Sequence, residues 1–118
     1  MEVNFLDILK EEKLSSVIFV MDYLQLDFDG NRLTMNIWPS VNVLNIEYIL
    51  KDQFYRDKLC SFIDQVVSDI TFKENEFLMV HFKNGDSIKL SLDPNNPELI
   101  VPEIAEFTDV NDRRFIFY

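Results

Sequence analysis

The chain has 118 residues, 47% of them hydrophobic, with eleven Phe and only two Gly. That fits one domain with a self-sufficient core and speaks against disorder and long structureless loops. Its 21 Asp and Glu against 11 Lys and Arg leave a net charge of −10, which speaks against nucleic acid or an anionic membrane as direct partner, since binding phosphates needs cations. The same charge favours a basic protein or peptide partner through electrostatic steering, or serves solubility alone.

Residues 4–14 read as a short helix, with Asn4 as N-cap, Asp7 near the positive end and Phe5, Leu6 and Leu9 on one face. Ser16–Phe28 reads as one long strand by its period-2 pattern. Asp29-Gly30-Asn31 is a hairpin turn, and Arg32–Trp38 is the return strand, interrupted by Pro39. A third strand is expected at about Val41–Leu50, with Leu44, Ile46, Tyr48 and Leu50 on one face.

Residues 53–67 read as the main amphipathic helix, with Asp52 as N-cap and Tyr55, Leu59, Phe62, Ile63 and Val66 at helical spacing. Three more strands follow, at about Val67–Lys73, Glu76–Lys83 and Ser87–Leu92, the last two joined by Asn84-Gly85. A helical turn over Glu98–Glu106 and a last edge strand over Arg114–Tyr118 complete the pattern. The expected fold is α+β: a mostly antiparallel sheet of about six strands, one main amphipathic helix and a short N-terminal helix. Each half reads as one helix followed by a three-stranded meander, a similarity of pattern without a repeated residue motif.

A single cysteine, Cys60, rules out an intramolecular disulfide. The first residues lack the basic region and apolar run of a signal peptide, and the longest apolar run, Val17–Met21, is too short to span a bilayer. The expectation is one soluble, cytoplasmic domain over residues 1–118.

Catalytic and metal constellations are sparse. The one histidine, His81, sits on a strand, and one His with one Cys falls short of a metal site. Cys60, in the middle of a helical pattern with no nucleophile-elbow glycine, reads as a small hydrophobe. Asp27-Phe28-Asp29-Gly30-Asn31 has the composition of a calcium loop but not its spacing, so the hairpin reading holds. There is no phosphate-binding glycine loop. The expectation is a non-enzyme with no cofactor and no metal. Trp38-Pro39, Phe115, Phe117 and Tyr118 are weighed as interface anchors against plain core packing.

The acidity is concentrated. Residues 93–112 carry Asp93, Glu98, Glu103, Glu106, Asp109 and Asp112 and no Lys or Arg, beside apolar Leu99, Ile100, Val101, Ile104 and Phe107. This segment is expected to dock by its apolar residues and display its carboxylates outward. With Asp27 and Asp29 at the first turn, these eight acids form the expected partner-binding set, with a solvated rim as the alternative.

The stretches Asp22–Phe28, Tyr55–Cys60, Phe82–Leu92 and Pro102-Glu103 resemble small bacterial immunity proteins, the partners of polymorphic or contact-dependent toxins. The resemblance touches most of residues 22–107 and implies no catalytic residues. It implies tight binding to a basic toxin domain, such as a nuclease, whose active site the protein covers. The alternative is a structural or regulatory homodimer formed through an unpaired strand edge such as Arg114–Tyr118.

Overall fold

A computed structural model describes the backbone of residues 4–118 and the side chains from Leu6 onward. The capping role of Asn4 and the facial position of Phe5 concern side chains outside the described residues. The chain forms a 3-10 helix (Asn4–Leu9), β1 (Ser16–Phe19), β2 (Leu24–Phe28), β3 (Asn31–Met35), β4 (Ser40–Val43) and β5 (Ile46–Tyr48). There follow α1 (Tyr55–Cys60), β6 (Val67–Lys73), β7 (Phe77–Phe82), β8 (Ser87–Ser91), β9 (Ala105–Thr108) and β10 (Arg114–Phe117).

The fold is therefore mostly β: two antiparallel five-stranded sheets, ordered β1-β2-β3-β9-β10 and β5-β4-β8-β7-β6. This corrects the expected α+β fold with a single sheet of about six strands and a main amphipathic helix. The helical spacing over 53–67 yields only α1. After it the backbone tightens, with Phe62 N–H donating to the Leu59 carbonyl and Ile63 N–H to that of Cys60. Asp64 then turns left-handed at φ 74°. From there the backbone pairs with the segment before β1: Asp64 N–H donates to Leu14 O, and Leu14 N–H to Gln65 O. Pairing that satisfies buried backbone groups overrides the weak propensity of the β-branched tail Ile63–Val67. Asp52 caps the turn ahead of α1, accepting from Ile49 N–H at 2.7 Å, and Phe54 is the N-cap.

Two expected long strands are each a hairpin. Ser16–Phe28 breaks at residues 20–23, where Val20 N–H donates to Tyr23 O. Val41–Leu50 breaks at Leu44 and Asn45, both at positive φ (53° and 66°), the backbone of a type I′ turn. A leucine there is strained by roughly 1–2 kcal/mol, and Leu44 is 79% exposed. Leu44→Asn should therefore raise the urea midpoint by an amount equivalent to about 1 kcal/mol. The helical turn expected over Glu98–Glu106 is instead loop followed by β9. The last edge strand is present as β10.

Each sheet presents one apolar face to a single shared core. In the first sheet Val17, Leu26, Leu33, Phe107 and Phe115 lie in one cross-strand row. In the second, Tyr48, Val41, Ile88, Val80 and Ile70 do the same. Phe72 of β6 meets Phe117 of β10 at 5.8 Å between ring centroids.

The register exposes an internal repeat. Leu24, Leu26 and Phe28 on β2, with Leu33, Met35 and Ile37 after the turn, match Leu78, Val80 and Phe82 on β7, with Ile88, Leu90 and Leu92. All twelve side chains are buried, and each run closes on a proline, Pro39 or Pro94. The turn between the two runs is longer in the second half, which hides the match in the linear sequence. Each half supplies a helix, a meander and a hairpin. The hairpin of each half completes the other half's sheet: β9–β10 joins β3, and β4–β5 joins β8. The helices cross over too, with α1 against β1 and β4 and the 3-10 helix against β6. The two leading segments meet at the antiparallel Lys13–Val66 bridge.

Candidate functional site

Alternation on the strands of the second sheet sends Ser40, Asn42, Glu47, Phe77, Met79, His81, Ser87, Lys89 and Ser91 to its outer face. Part of this face is a groove of about 660 Å³. Its apolar and aromatic lining is Trp38, Phe77, Ile49 and Leu50 with the buried Ile37, and its carboxylates are Glu47, Glu76, Asp93 and Glu98. Ile49 and Leu50 are 46% and 38% exposed. All four acids are exposed, and none has an ion-pair partner among the described residues. Lys51 and Lys89 are the cations of the groove, and the Lys89 ammonium lies 4.9 Å from the centre of the Phe77 ring.

Trp38 is held firmly. Its indole stacks on Phe19 at 6.3 Å and 14°, and the Arg56 guanidinium sits 5.8 Å from the same Phe19 ring. The next residue, Pro39, accepts the Tyr55 hydroxyl at 2.5 Å. Burial pushes the Tyr55 phenol far above its ordinary range, so this donor stays protonated. A half-buried aromatic fixed beside free carboxylates is a preorganised anchor.

The structure divides the eight expected partner-binding acids. Asp93 and Glu98 belong to the groove just described. Asp27, Glu106, Asp109 and Asp112 line a polar hollow on the outer face of the first sheet, with Tyr23, Gln25 and Thr34. Three of these four carry their own counter-charge. Asp27 accepts from Arg32 at 3.1 Å and from Gly30 N–H at 2.7 Å. Glu106 takes the Arg114 guanidinium in a fork, at 2.6 and 3.0 Å. Asp109 is only 3% exposed and accepts from the N–H groups of Asn111 and Arg113 and from Arg113 Nε at 2.6 Å. The expected outward display is thus corrected at Asp109: its carboxylate closes the β9–β10 loop, because a buried charge must be paired. Asp112 is exposed. Asp29 sits at positive φ in the first hairpin turn, beside Glu11, Glu12 and Asp64 in a separate hollow. Glu103 is half-buried, and its carbonyl accepts from Asn36 Nδ2 at 2.9 Å.

These pairings have a pH signature. The Arg114 fork holds the Glu106 carboxyl below its ordinary value. At Asp109 burial disfavours the charge, but the N–H groups of Arg113 and Asn111 and the Arg113 side chain outweigh it, so this carboxyl also titrates low. A folded-state value below the unfolded one gives stability that is present above the unfolded pKa and is lost as pH falls through the folded one. Thermal stability should therefore drop below the ordinary values of 4.5 for Glu and 3.8 for Asp. Asp109→Asn should lower the melting temperature at pH 7 and flatten the acid limb of the melting curve series.

Glu47, Glu76 and Lys89 were absent from the expected set. The first two lie outside the acidic run and reach the groove only through strand pairing and the turn before β7. Trp38 stands out in the sequence through the Trp-Pro pair. Of the tail aromatics, Phe117 is buried, Phe115 is half-buried against the core and Tyr118 is 66% exposed. His81 Nε2 lies 2.8 Å from Thr71 Oγ1. Cys60, expected to act as a small hydrophobe, is exposed on α1. Among the described residues no group of three or more His, Cys, Asp or Glu is placed to hold a metal ion, and no helix is long and apolar enough to cross a membrane. Comparison with protein-family models, curated proteins and solved structures finds no match to this chain.

Proposed function

We propose that this chain is a non-catalytic protein-binding domain of the immunity type, which docks a basic partner in the groove of the second sheet and masks that partner's active site. One observation carries the reading: Glu47, Glu76, Asp93 and Glu98, without an ion-pair partner among the described residues, surround a fixed Trp38 and the apolar Phe77, Ile49 and Leu50. Free carboxylates accelerate encounter with a cationic cleft, and the aromatic anchor supplies the desolvated contact that sets residence time. The paired acids of the first sheet serve this role poorly, since each would first have to release its arginine. Exposed charges contribute little affinity on their own, so the tryptophan matters as much as the acids. A toxin domain is the partner class of that chemistry, with a cationic nuclease cleft as the concrete form.

The test is protection. The protein encoded immediately upstream is expressed in cells with and without this chain. If it is a toxin, co-expression should restore growth, and Trp38→Ala should abolish the rescue while leaving the fold intact. Growth inhibition that this chain does not relieve would defeat the proposal.

A further inference from the structure

The two hairpins that complete the sheets are tethered very differently. β4 follows β3 across residues 36–39, whereas β9 follows β8 only after residues 92–104, which hold neither helix nor strand and contain Pro94, Pro97 and Pro102. Within that stretch Ile100 is 75% and Val101 39% exposed, so much of it lies off the core. The hydrogen bonds that seat the second hairpin end on residues 31–36. β9 pairs with β3 from Arg32 to Met35. Asn36 N–H donates to Ile104 O at 2.9 Å, and Val110 N–H donates to Asn31 Oδ1 at 3.2 Å. Gly30 closes the same corner: at φ 98° a side chain is strained, and a Cβ would come 2.9 Å from Val110 Cγ1.

We infer that the hairpin β9–β10 is an exchangeable module through which two copies of this chain form a twofold dimer, each hairpin completing the first sheet of the other copy. The occupant is specified by the fold itself. Residues 31–36 of a second copy offer the same partners, so every seat is refilled and only the connection 92–104 changes path. Exchange of an identical element is a low-cost route to dimers, and this chain already uses it internally, since each half's hairpin lies in the other half's sheet. Withdrawing the hairpin uncovers Ile104, Ala105 and Phe107, all 0% exposed. Exchange therefore occurs while the chain folds, not from the folded monomer. The charge of −10 on each copy opposes the dimer, so salt favours it. In a dimer of this kind Glu47, Phe77 and Lys89 of the second-sheet groove stay on their strands in both copies, whereas Asp93 and Glu98 travel with the re-routed connection.

The test is a cross-link across the exchanged pairing. Thr34 and Glu106 are opposite residues of β3 and β9 on the outer face. A Cys60→Ser, Thr34→Cys, Glu106→Cys chain is refolded from denaturant at rising protein concentration, oxidised, and run on a non-reducing gel. The share of cross-links joining two chains should rise with concentration and with salt, and should become the whole in a variant lacking residues 95–101. Cross-links confined within one chain at every concentration would overturn the inference, as would dimers whose cross-links stay within one chain. If the shortened variant fails to fold, the full-length series decides alone.

Discussion

Phe107→Ala should destabilise the chain by about 3–5 kcal/mol, the usual cost of emptying a fully buried aromatic site. Phe107 is 0% exposed and lies between Leu33 on β3 and Phe115 on β10, with its ring 6.4 Å from that of Phe115. It ties the late hairpin to the first sheet and to the shared core at once. Against a typical total stability of roughly 5–15 kcal/mol, that loss removes much of the reserve. Urea denaturation should show a large fall in the midpoint at an unchanged slope. The neighbouring Glu106→Gln, on the outer face of the same strand, should cost about 1 kcal/mol or less, because an ion pair at the surface contributes little. Equal effects at the two positions would mean that β9 does not present Phe107 to the core.

Neutralising the groove should have the second large effect, on association and not on stability. In the combined variant Glu47→Gln, Glu76→Gln, Asp93→Asn and Glu98→Gln, shapes are kept, and Asp93→Asn preserves the acceptor that holds Asn95 N–H at 2.9 Å. The association rate with a basic partner should fall about tenfold or more, within the range of roughly 10–10³ that steering by a charged cleft provides. A matched variant neutralised at Asp22, Asp57, Glu74 and Asp112 should lose far less. Both variants should melt close to the parent chain. Equal losses would assign the effect to total charge and not to the groove.

Local periodicity made the strands legible where one face is buried. The alternation of Leu24, Leu26 and Phe28, and of Ile88 and Leu90, with Asn84-Gly85 between β7 and β8, marked those elements correctly. The main helix was misread because Tyr55, Leu59, Phe62, Ile63 and Val66 satisfy a helical template equally well when they form one short helix, a tight turn and a strand entry. Pairing of residues 11–14 with 64–67 decides between these outcomes, and it is a contact across half the chain that no local pattern encodes. The turn at Leu44-Asn45 escaped notice because a leucine at positive φ contradicts turn preferences. The candidate site was half legible. Trp38-Pro39 and the acids Asp93 and Glu98 stood out by residue type. Glu47 and Glu76 come to the groove through pairing between β4, β5 and β8 and through the turn before β7. The acidity of residues 93–112 was visible as a run, but its division between free and arginine-paired carboxylates depends on Arg113 and Arg114, which follow the run and fold back on it.

The central claim is that free carboxylates around Trp38 steer this chain onto a cationic partner. Its most direct test is the association rate, by stopped flow, against the basic partner that the co-expression experiment identifies, from low to high ionic strength. The account predicts a steep fall in association rate as salt screens the groove, with a dissociation rate that changes little and that rises sharply in Trp38→Ala. An association rate indifferent to salt would contradict it.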